Sequence, residues 1–422
     1  MTTLVNDRAP ENAQRRGRRQ PGHTAEAPQA PGRDGRWLSE PGLGVYVHVP
    51  FCMHRCHYCD FNTYESREGL HGPYVDALVA DIRRWPETSA AIGRSVAGPA
   101  TSVFFGGGTP TLLPAARLAE VLDAVKEVVG VAAGAEVTVE ANPETVDDPY
   151  FEALVEAGFN RVSIGVQSLS GHVLSGLRRT HDAAAALEAM AAARKAGVSD
   201  VNADLIYGSP WETAEDWVAS LEGVIEAGPD HVSAYALTVE EGTPLATLVR
   251  TGRVPDVDAD VQADRHAIAE VLLGSAGYAR YEVSNWAKPG RASAHNVLYW
   301  SAGNYLGFGA GAHAHVGGRR WWSTRLPRDF MSAVAAGRSV EAGHEILERD
   351  ERAGEALMLG LRLAGGVDTR AFAARFGPES LEGRARAIVD LEAAGMLEAP
   401  GGQLRLAPGA TFVANEAVCR LL

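Results

Sequence analysis

The feature that most constrains the fold is an alternation of short β-branched or aromatic runs with helical stretches rich in Ala and Leu. Loops rich in Gly, Pro and Asn separate them. The runs predict six strands, at residues 45–49, 102–105, 137–140, 161–165, 201–206 and 231–236. Helices are predicted between them, at 74–84, 115–129, 149–157, 183–196 and 214–226. This order is typical of βαβ units and a parallel sheet, either curled into a barrel or doubly wound.

The length and the regional composition predict three parts. With 422 residues, the chain can form two or three domains, or one large α/β barrel with an appendage. Residues 1–40 are rich in Arg and Pro and lack apolar periodicity, so we predict a disordered extension. A barrel with an extension dense in aromatics, Gly and His is expected over 41–325. Residues 345–422 predict a small C-terminal helical or winged-helix-like domain.

The charge balance argues against several classes of partner. The chain has a net charge of −14, and its first 40 residues hold seven Arg and five acidic residues, so the remainder carries −16. Such a body repels nucleic acid and anionic lipid surfaces. No apolar run reaches the ~18 residues of a transmembrane helix, and the N-terminus lacks a signal-peptide core. We therefore predict a cytoplasmic protein that binds no nucleic acid and has no transmembrane segment.

Unusual residues follow the predicted strands, where barrel enzymes place their active sites. Cysteines follow the first strand, a Gly-Gly-Gly-Thr-Pro loop (106–110) the second, and Ala-Asn-Pro (141–143) the third. Gln167 follows the fourth strand, and Tyr-Gly-Ser-Pro (207–210) the fifth. This agreement supports a barrel-like site.

Three of the four cysteines form a C-x3-C-x2-C motif: Cys52, Cys56 and Cys59. A thioredoxin-type pair would leave Cys52 idle, and haem c attachment would need His where Asp60 stands. Zinc could recruit His54 or His57. An iron–sulfur cluster with three protein ligands fits best, because the missing ligand leaves one iron open. The remote Cys419 is predicted to pack as a small hydrophobe.

The motif, with Tyr58 just before its last cysteine, resembles the radical S-adenosylmethionine (SAM) superfamily. In that superfamily the open iron chelates the amino and carboxylate groups of SAM, and one electron cleaves SAM to a radical. The 106–110 loop resembles the loop that holds the SAM amino group. Segments 45–52, 104–111, 163–168 and 203–208 resemble the oxygen-independent coproporphyrinogen III oxidase branch. The resemblance implies a partial (β/α)6 TIM-like radical SAM barrel and one [4Fe-4S] cluster on the three cysteines.

Motif position also implies SAM contacts. They are Tyr46, Tyr58, Gly107, Gly108, Thr109, Glu140, Gln167, Arg179 and Asp204. Arg179 can fork onto the SAM carboxylate, and Glu140 can take its ammonium. Asp204 and Gln167 can hold ribose hydroxyls. For Glu140 or Asp204 alone, capping of the next helix is an equal alternative, but their joint placement at strand ends favours ligand binding.

The oxidases of this branch carry a fourth cysteine two positions after the third, where this chain has Phe61. The barrel is also expected to begin directly after the extension, without the oxidases' ordered N-terminal segment. Both departures resemble the HemW type, which is oxidase-like and understood as a haem chaperone. Residues 295–300 resemble that group's HNxxYW haem motif.

The HNxxYW resemblance implies haem contacts at His295, Asn296, Tyr299 and Trp300, with His295 as the axial ligand. The alternative is a buried histidine among packed aromatics. Nearby, residues 309–314 fit a dinucleotide fingerprint without the helix it needs. His313 and His315 are either secondary haem contacts or part of a structural loop, which is the interpretation we favour.

The resemblance thus implies a chaperone that binds haem and transfers it to an acceptor protein of unknown identity, for which a membrane-bound respiratory complex is one setting. The protein would carry a [4Fe-4S] cluster with exchangeable SAM, and no catalytic residue is assigned. The alternative is the oxidase reaction, a radical decarboxylation of propionates. A tRNA-modifying radical enzyme would need a basic surface, and a zinc-binding structural protein is the remaining candidate.

Overall fold

The computed structural model describes residues 30–65, 68–93, 96 and 98–422. Its main feature is a twelve-stranded sheet. The strands in chain order are β1 Leu43–Val49, β2 Ala100–Gly107, β3 Val131–Ala141, β4 Arg161–Gln167, β5 Asp200–Tyr207, β6 His231–Ala236, β7 Ala279–Arg280, β8 Asn285–Ala287, β9 Asn304–Phe308, β10 His313–Val316, β11 Arg319–Ser323 and β12 Glu341–Ile346. Phe51–Cys52 and Tyr64–Glu65 form a separate parallel pair.

A long helix follows each of the first six strands. These helices are α1 His71–Arg83, α2 Ala115–Val128, α3 Asp148–Ala157, α4 Ala183–Lys195, α5 Ala214–Ala227 and α6 Ala259–Ser275. Shorter helices cover Trp85–Ala91, Gly171–Gly176, Pro244–Arg250, Ala294–Trp300 and Pro327–Ala335. Single 3-10 turns lie at Glu68–Leu70, Pro110–Leu112, Pro143–Thr145, Pro400–Gly402 and Ala410–Val413.

The strand order decides between a barrel and a doubly wound sheet. Strands β1 to β6 lie side by side in chain order, each parallel to the next. A doubly wound sheet would reverse its order at a switch point, whereas consecutive right-handed crossovers place all helices on one face, as in a barrel. The predicted partial α/β barrel is confirmed. Strand β3 begins at Val131, six residues earlier than expected, because its Gly- and Ala-rich start lacks a strand pattern.

Further strands extend both sides of the barrel wall. On the β1 side, β9 adds in parallel and β10 to β12 follow antiparallel. On the β6 side, β8 and then β7 add antiparallel. Within the described residues, the two outermost strands, β7 and β12, do not pair with each other, so the barrel stays open.

Side-chain alternation along β1 shows how the wall is built. Val45, Val47 and Val49 are fully buried in the large core that also holds residues of the surrounding helices. Tyr46 and His48 lie between them on the opposite face, because successive strand residues point to opposite sides. The inner face is therefore the polar one, and it is available for a ligand.

The C-terminal segment forms a second core. Its helices are Arg349–Gly360, Thr369–Phe376, Glu379–Glu382, Ala385–Ala393 and Ala414–Cys419, and its three short strands are Val367–Asp368, Leu397–Glu398 and Gln403–Leu406. This agrees with the predicted small helical module with strand-like ends. Cys419 is exposed, so the prediction that it packs in an apolar core was wrong; the short last helix turns it outward.

Residues 30–40 differ from the predicted disordered extension. Arg33 forms buried ion pairs with Glu136 at 2.8 Å and Asp200 at 2.7 Å. Trp37 is buried in the second core beside Phe372, with ring centroids 6.1 Å apart. Average composition cannot reveal two single residues that dock in this way. The rest of the predicted extension, residues 1–29, lies outside the described residues.

No helix in the described part of the chain is both long and apolar enough to cross a bilayer.

The Arg33 ion pairs give a stability prediction. Burial alone would raise the pKa of Glu136, but Arg161, Arg33 and two backbone N–H donors outweigh it and lower that pKa. Arg33→Leu removes part of this compensation from a buried carboxylate, so we expect a loss of about 3–5 kcal/mol in the free energy of unfolding. The control is Arg36→Leu, whose side chain is 84% exposed, with an expected change within about 0.5 kcal/mol. Urea unfolding of both variants measures the difference; equal losses would contradict the prediction.

Candidate functional site

A cavity of about 440 Å³ opens at the carboxyl ends of the barrel strands. We call it the cysteine cavity. Its lining includes Cys52, Cys56 and Cys59 together with eight of the nine predicted SAM contacts, namely Tyr58, Gly107, Gly108, Thr109, Glu140, Gln167, Arg179 and Asp204. The structure therefore brings together residues that lie as far apart in the sequence as Cys52 and Asp204, as parallel strands of a barrel require.

The cysteine loop leaves β1 and is closed by the short parallel pair Phe51–Cys52 and Tyr64–Glu65. Burial and the neighbouring thiols of Cys59 and Cys56 raise the pKa of Cys52 to about 11, although Thr109 and Thr63 oppose the shift. Burial likewise raises the pKa of Cys59. A positively charged iron centre would reverse this effect, because metal binding deprotonates a coordinating thiol.

The cysteine geometry bears on the choice between zinc and a cluster. Within the residues that the structure describes, no three His, Cys, Asp or Glu side chains converge on one ion. A structural zinc needs four ligands around a single ion at about 2.0–2.3 Å. In an iron–sulfur cluster, each thiolate binds a different iron, so wider spacing is acceptable. Cys52, Cys56 and Cys59 line one cavity, as the three protein ligands of one cluster would.

The Gly-rich loop after β2 presses directly against the cysteine loop. The Gly108 N–H donates to the Val49 carbonyl at 2.8 Å, and the Thr109 N–H donates to the Phe51 carbonyl at 2.7 Å. A Cβ on Gly108 would collide with the Phe51 backbone, and Gly107 has φ +111°. Only glycine fits at these two positions, because a side chain would separate the two loops.

Arg179 supplies a buried cation beside the cysteines. One Nη donates to the Asn142 side-chain oxygen at 2.7 Å and to the Gly165 carbonyl at 3.1 Å, and the other lies 3.5 Å from the Cys56 sulfur. Its buried Nε has no hydrogen-bond partner among the described residues. This free donor fits the carboxylate of a ligand.

Sequence analysis missed Asn142 as a member of the site. Its amide nitrogen donates to Thr109 Oγ1 at 3.1 Å while its oxygen holds Arg179, so it links two predicted contacts. Ser163, which donates to Asp204 at 2.7 Å, was missed too. The available signal was position: Asn142 directly follows β3, as a strand-end residue of the kind the analysis had singled out.

Two neighbouring carboxylates, Glu140 and Asp204, face the cavity, and neither forms a side-chain ion pair within the described residues. Burial, then the neighbouring Asp204, raises the pKa of Glu140 to about 8, although the Gly107 N–H, at 3.0 Å, and Arg161 oppose the shift. A carboxylate in this state favours a bound positive charge, such as an ammonium group. Gln167, at the end of β4, adopts φ +62°, a conformation rare outside glycine and typical of functional sites.

A second cavity, of about 680 Å³, adjoins the first. We call it the aromatic cavity. It shares Phe61, Gly107 and Glu140 with the cysteine cavity. Its other lining residues are Tyr46, His48, Asn62, Tyr299, Tyr305, Gly311, His313, Trp322, Ser323 and Arg325. Tyr46, predicted as a SAM contact, lines this second cavity. Its hydroxyl is hydrogen-bonded to His48 Nδ1 at 2.8 Å.

The helix Ala294–Trp300 carries the HNxxYW residues and lies near the amino ends of the barrel strands. Glu136 accepts hydrogen bonds from the N–H groups of Ala294 and His295. The His295 side chain is buried, with Nδ1 2.9 Å from Ser102 Oγ and Nε2 without a partner in the described chain. His295 lines neither cavity. Axial ligation by His295 stays a prediction, and in this arrangement it would require the helix to move.

The other HNxxYW residues divide between two environments. Asn296 donates to the Tyr281 hydroxyl at 3.2 Å, and Trp300 packs against the second core beneath the Arg362 guanidinium. Only Tyr299 lines the aromatic cavity. Haem contacts by Asn296 and Trp300 likewise stay predictions.

Comparison with known proteins gives two family matches. The model of the radical SAM superfamily matches residues 46–224, and the model of the HemN C-terminal domain matches residues 347–413. The heme chaperone HemW of Mycobacterium tuberculosis is 41% identical over 90% of this chain and 95% of its own length. The heme chaperone HemW of Escherichia coli is 39% identical over 74% of this chain and 80% of its own length.

The chain belongs to the HemW family.

The fold agrees with this family. Among solved structures, the radical SAM coproporphyrinogen III oxidase HemN of Escherichia coli matches with a TM-score of 0.77, covering 92% of each chain at 20% identity. At that identity the likeness concerns the fold alone. The predicted radical SAM barrel and the predicted family are confirmed.

Phe61 has an unusual position for an aromatic residue. Its side chain is 65% exposed, yet it borders both cavities. A cysteine there, as in the oxidase motif, would place a fourth thiol at the same border. The substitution therefore replaces a reactive group by apolar surface where the two cavities meet.

Two glutamates near the cysteine cavity, Glu140 in its lining and Glu144 beside Arg179, give a pH-dependent prediction. Glu140 keeps its proton in the folded state up to a pKa of about 8, against an ordinary 4.5, so folding stability falls as pH rises between these values. We expect Glu140→Gln to raise the melting temperature of the ligand-free protein above pH 8 and to have no such effect below pH 4.5.

Glu144→Gln is the matched control with the opposite sign. His181 and Arg179 overcome the effect of burial and lower the pKa of Glu144 to about 2. Its stabilising contribution is present above pH 4.5 and lost as pH falls toward 2, so the variant should melt lower at neutral pH. Thermal melts across pH compare the two variants. A lower melting temperature for Glu140→Gln above pH 8, or a higher one for Glu144→Gln at neutral pH, would contradict the assignment of that glutamate.

Proposed function

We propose that this chain is a haem chaperone that binds haem and passes it to an acceptor protein, while carrying a [4Fe-4S] cluster with SAM at its open iron. The observation that carries the proposal is the similarity to proteins named heme chaperone HemW, which extends over 95% of the length of the Mycobacterium tuberculosis protein. Phe61, in place of the oxidases' fourth cysteine, supports the same conclusion.

The lining of the cysteine cavity supports the cluster and SAM. Cys52, Cys56 and Cys59 would hold the cluster, which when bound supplies an open iron and a single electron. Arg179 presents an unpartnered N–H to a carboxylate, and Glu140 offers a carboxylate to an ammonium group.

Asp204 and Gln167 would form hydrogen bonds with the ribose hydroxyls of SAM. Asp204 is held in place by Ser163 at 2.7 Å and by Asn202 at 2.8 Å, and Gln167 lies in its strained turn. Gly107, Gly108 and Tyr58 also line the cavity, and the absence of side chains at the two glycines exposes backbone to the ligand there.

A cytoplasmic location, the absence of nucleic-acid binding and an acceptor at a membrane-bound respiratory complex stay parts of the proposal that rest on sequence. The acceptor itself is defined here only as a protein that takes up haem.

Hemin titration tests the haem proposal. Full-length protein, with its cluster reconstituted anaerobically, should shift the Soret band of hemin and saturate. The difference spectrum against the haem-free protein separates the haem band from cluster absorption. Absence of a saturable shift in the wild type would remove the haem-chaperone function.

The oxidase alternative is favoured only by the fold likeness to HemN. An anaerobic incubation with SAM, reductant and coproporphyrinogen III distinguishes the two functions. We expect no more decarboxylated product from the wild type than from Cys56→Ala, a variant that lacks a cluster ligand. Product above that control would establish oxidase activity instead.

A further inference from the structure

We propose that haem occupies the aromatic cavity and that His313 provides the axial nitrogen ligand, rather than His295, which lies outside this cavity. The inference rests on the proposed haem-binding function and assigns a place on the molecule to it.

The volume and the aromatic lining of the cavity suit a large aromatic ligand. Its volume of about 680 Å³ lies within the range of about 300–1,000 Å³ that is typical of ligand sites. Tyr299 and Tyr305 meet edge to face with ring centroids 4.7 Å apart, and Trp322 stacks on His313 at 5.8 Å with an interplanar angle of 27°. Aromatic walls of this kind provide large, rigid contact surfaces for a macrocycle.

Hydrogen bonding separates the two histidines of the cavity. His48 uses both ring nitrogens, one with the Tyr46 hydroxyl at 2.8 Å and one with the Asn62 carbonyl at 3.0 Å. His313 forms no ring-nitrogen hydrogen bond with any described residue, and its side chain is exposed toward the cavity mouth. A free imidazole nitrogen is what haem iron requires of an axial ligand.

The neighbouring His315 is excluded on the same grounds. Its Nδ1 donates to the Gly303 carbonyl at 3.1 Å, and its Nε2 accepts from the Gly318 N–H at 3.3 Å. It also does not line the cavity. Of the two histidines on β10, His313 is therefore the one that can reach a ligand, and His315 holds the hairpin.

Local charge favours the ligating form of His313. Partial burial, then Arg320 and Arg325, lowers its pKa, while Glu345 opposes the shift. The imidazole is thus neutral at physiological pH, which leaves a lone pair for iron.

Arg325 lies at the exposed rim of the same cavity and fits the haem carboxylates. Its backbone carbonyl accepts hydrogen bonds from Asn62 at 3.0 Å and Tyr64 at 3.2 Å, which fixes the loop. Its guanidinium forms no ion pair within the described residues. A propionate at the cavity mouth would therefore find an unpaired cation whose fork geometry suits a carboxylate.

The HNxxYW helix contributes to this site through Tyr299. His295 packs edge to face against Tyr299 with ring centroids 4.6 Å apart, on the side away from the cavity. His295 is then a positioning residue: it fixes the cavity wall from behind, and it does not touch haem. The motif and the cavity are parts of one site under this assignment.

The test uses the full-length protein with its reconstituted cluster, titrated with hemin and followed by Soret difference spectra and by EPR of the ferric haem. We expect His313→Gly to lose the signature of nitrogen ligation and to raise the Kd about tenfold or more, a change of at least about 1.4 kcal/mol. Added free imidazole should restore the ligation spectrum, which a misfolded variant could not do. His315→Gln, which keeps a donor and an acceptor, is the matched control and should resemble the wild type.

His295→Ala separates positioning from ligation. We expect it to weaken hemin binding while keeping the nitrogen-ligated EPR signal. If His295→Ala loses that signal, or if His313→Gly retains it, the proposal is overturned while haem binding stands. If the wild type itself fails to bind hemin, the proposed function and the site fall together.

Discussion

The structure of the site depends on the contact between two loops, the cysteine loop after β1 and the Gly-rich loop after β2. Two backbone hydrogen bonds, from Gly108 to Val49 and from Thr109 to Phe51, join them. Because no Cβ fits at Gly108, the backbones touch directly. The contact fixes Cys52 against the barrel, and it turns the Gly107 N–H toward Glu140. The same contact between the two loops therefore positions both Cys52 and the Gly107 N–H that binds Glu140.

Buried carboxylates at the two ends of the barrel have opposite pKa shifts, because their surroundings differ. Near the amino ends of the strands, Glu136 has Arg33, Arg161 and backbone donors around it, and its pKa is lowered. Near the carboxyl ends, Glu140 faces Asp204 with few compensating donors, and its pKa is raised to about 8. The first carboxylate is satisfied by the protein itself, as expected of a structural group. The second has the Gly107 N–H as a donor, but its raised pKa shows that its charge is not fully compensated, as is common for carboxylates in binding sites.

Much of the fold and of the cysteine cavity could be predicted, because both depend on local patterns. Strand periodicity placed all six barrel strands, and motif spacing placed the cysteines, the glycines and Arg179 on strand-end loops. What could not be predicted depends on contacts between distant residues. Arg33 and Trp37 are ordered by partners far away in sequence, which a composition average cannot register.

The HNxxYW residues show that the placement of side chains in the site could not be predicted from the motif either. A motif identifies residues, but it does not say on which side of a barrel wall each side chain lies. In the structure, His295 faces Ser102 and Phe104, while Tyr299, one helical turn later, faces the aromatic cavity. The resemblance to the HNxxYW motif favoured His295 as the ligand, whereas sheet topology brings His313 of β10 into the lining of the cavity.

Phe61 lies where the cysteine cavity and the aromatic cavity meet. Because it borders both cavities, the residue at this position determines whether their shared wall carries a thiol or a hydrocarbon surface. A thiol there would stand beside Cys52, Cys56 and Cys59 and at the edge of the aromatic cavity. An exposed phenyl ring instead extends the aromatic wall toward the cysteines. A phenyl ring at this position thus offers apolar contact area to a bound molecule where a thiol would offer a reactive group.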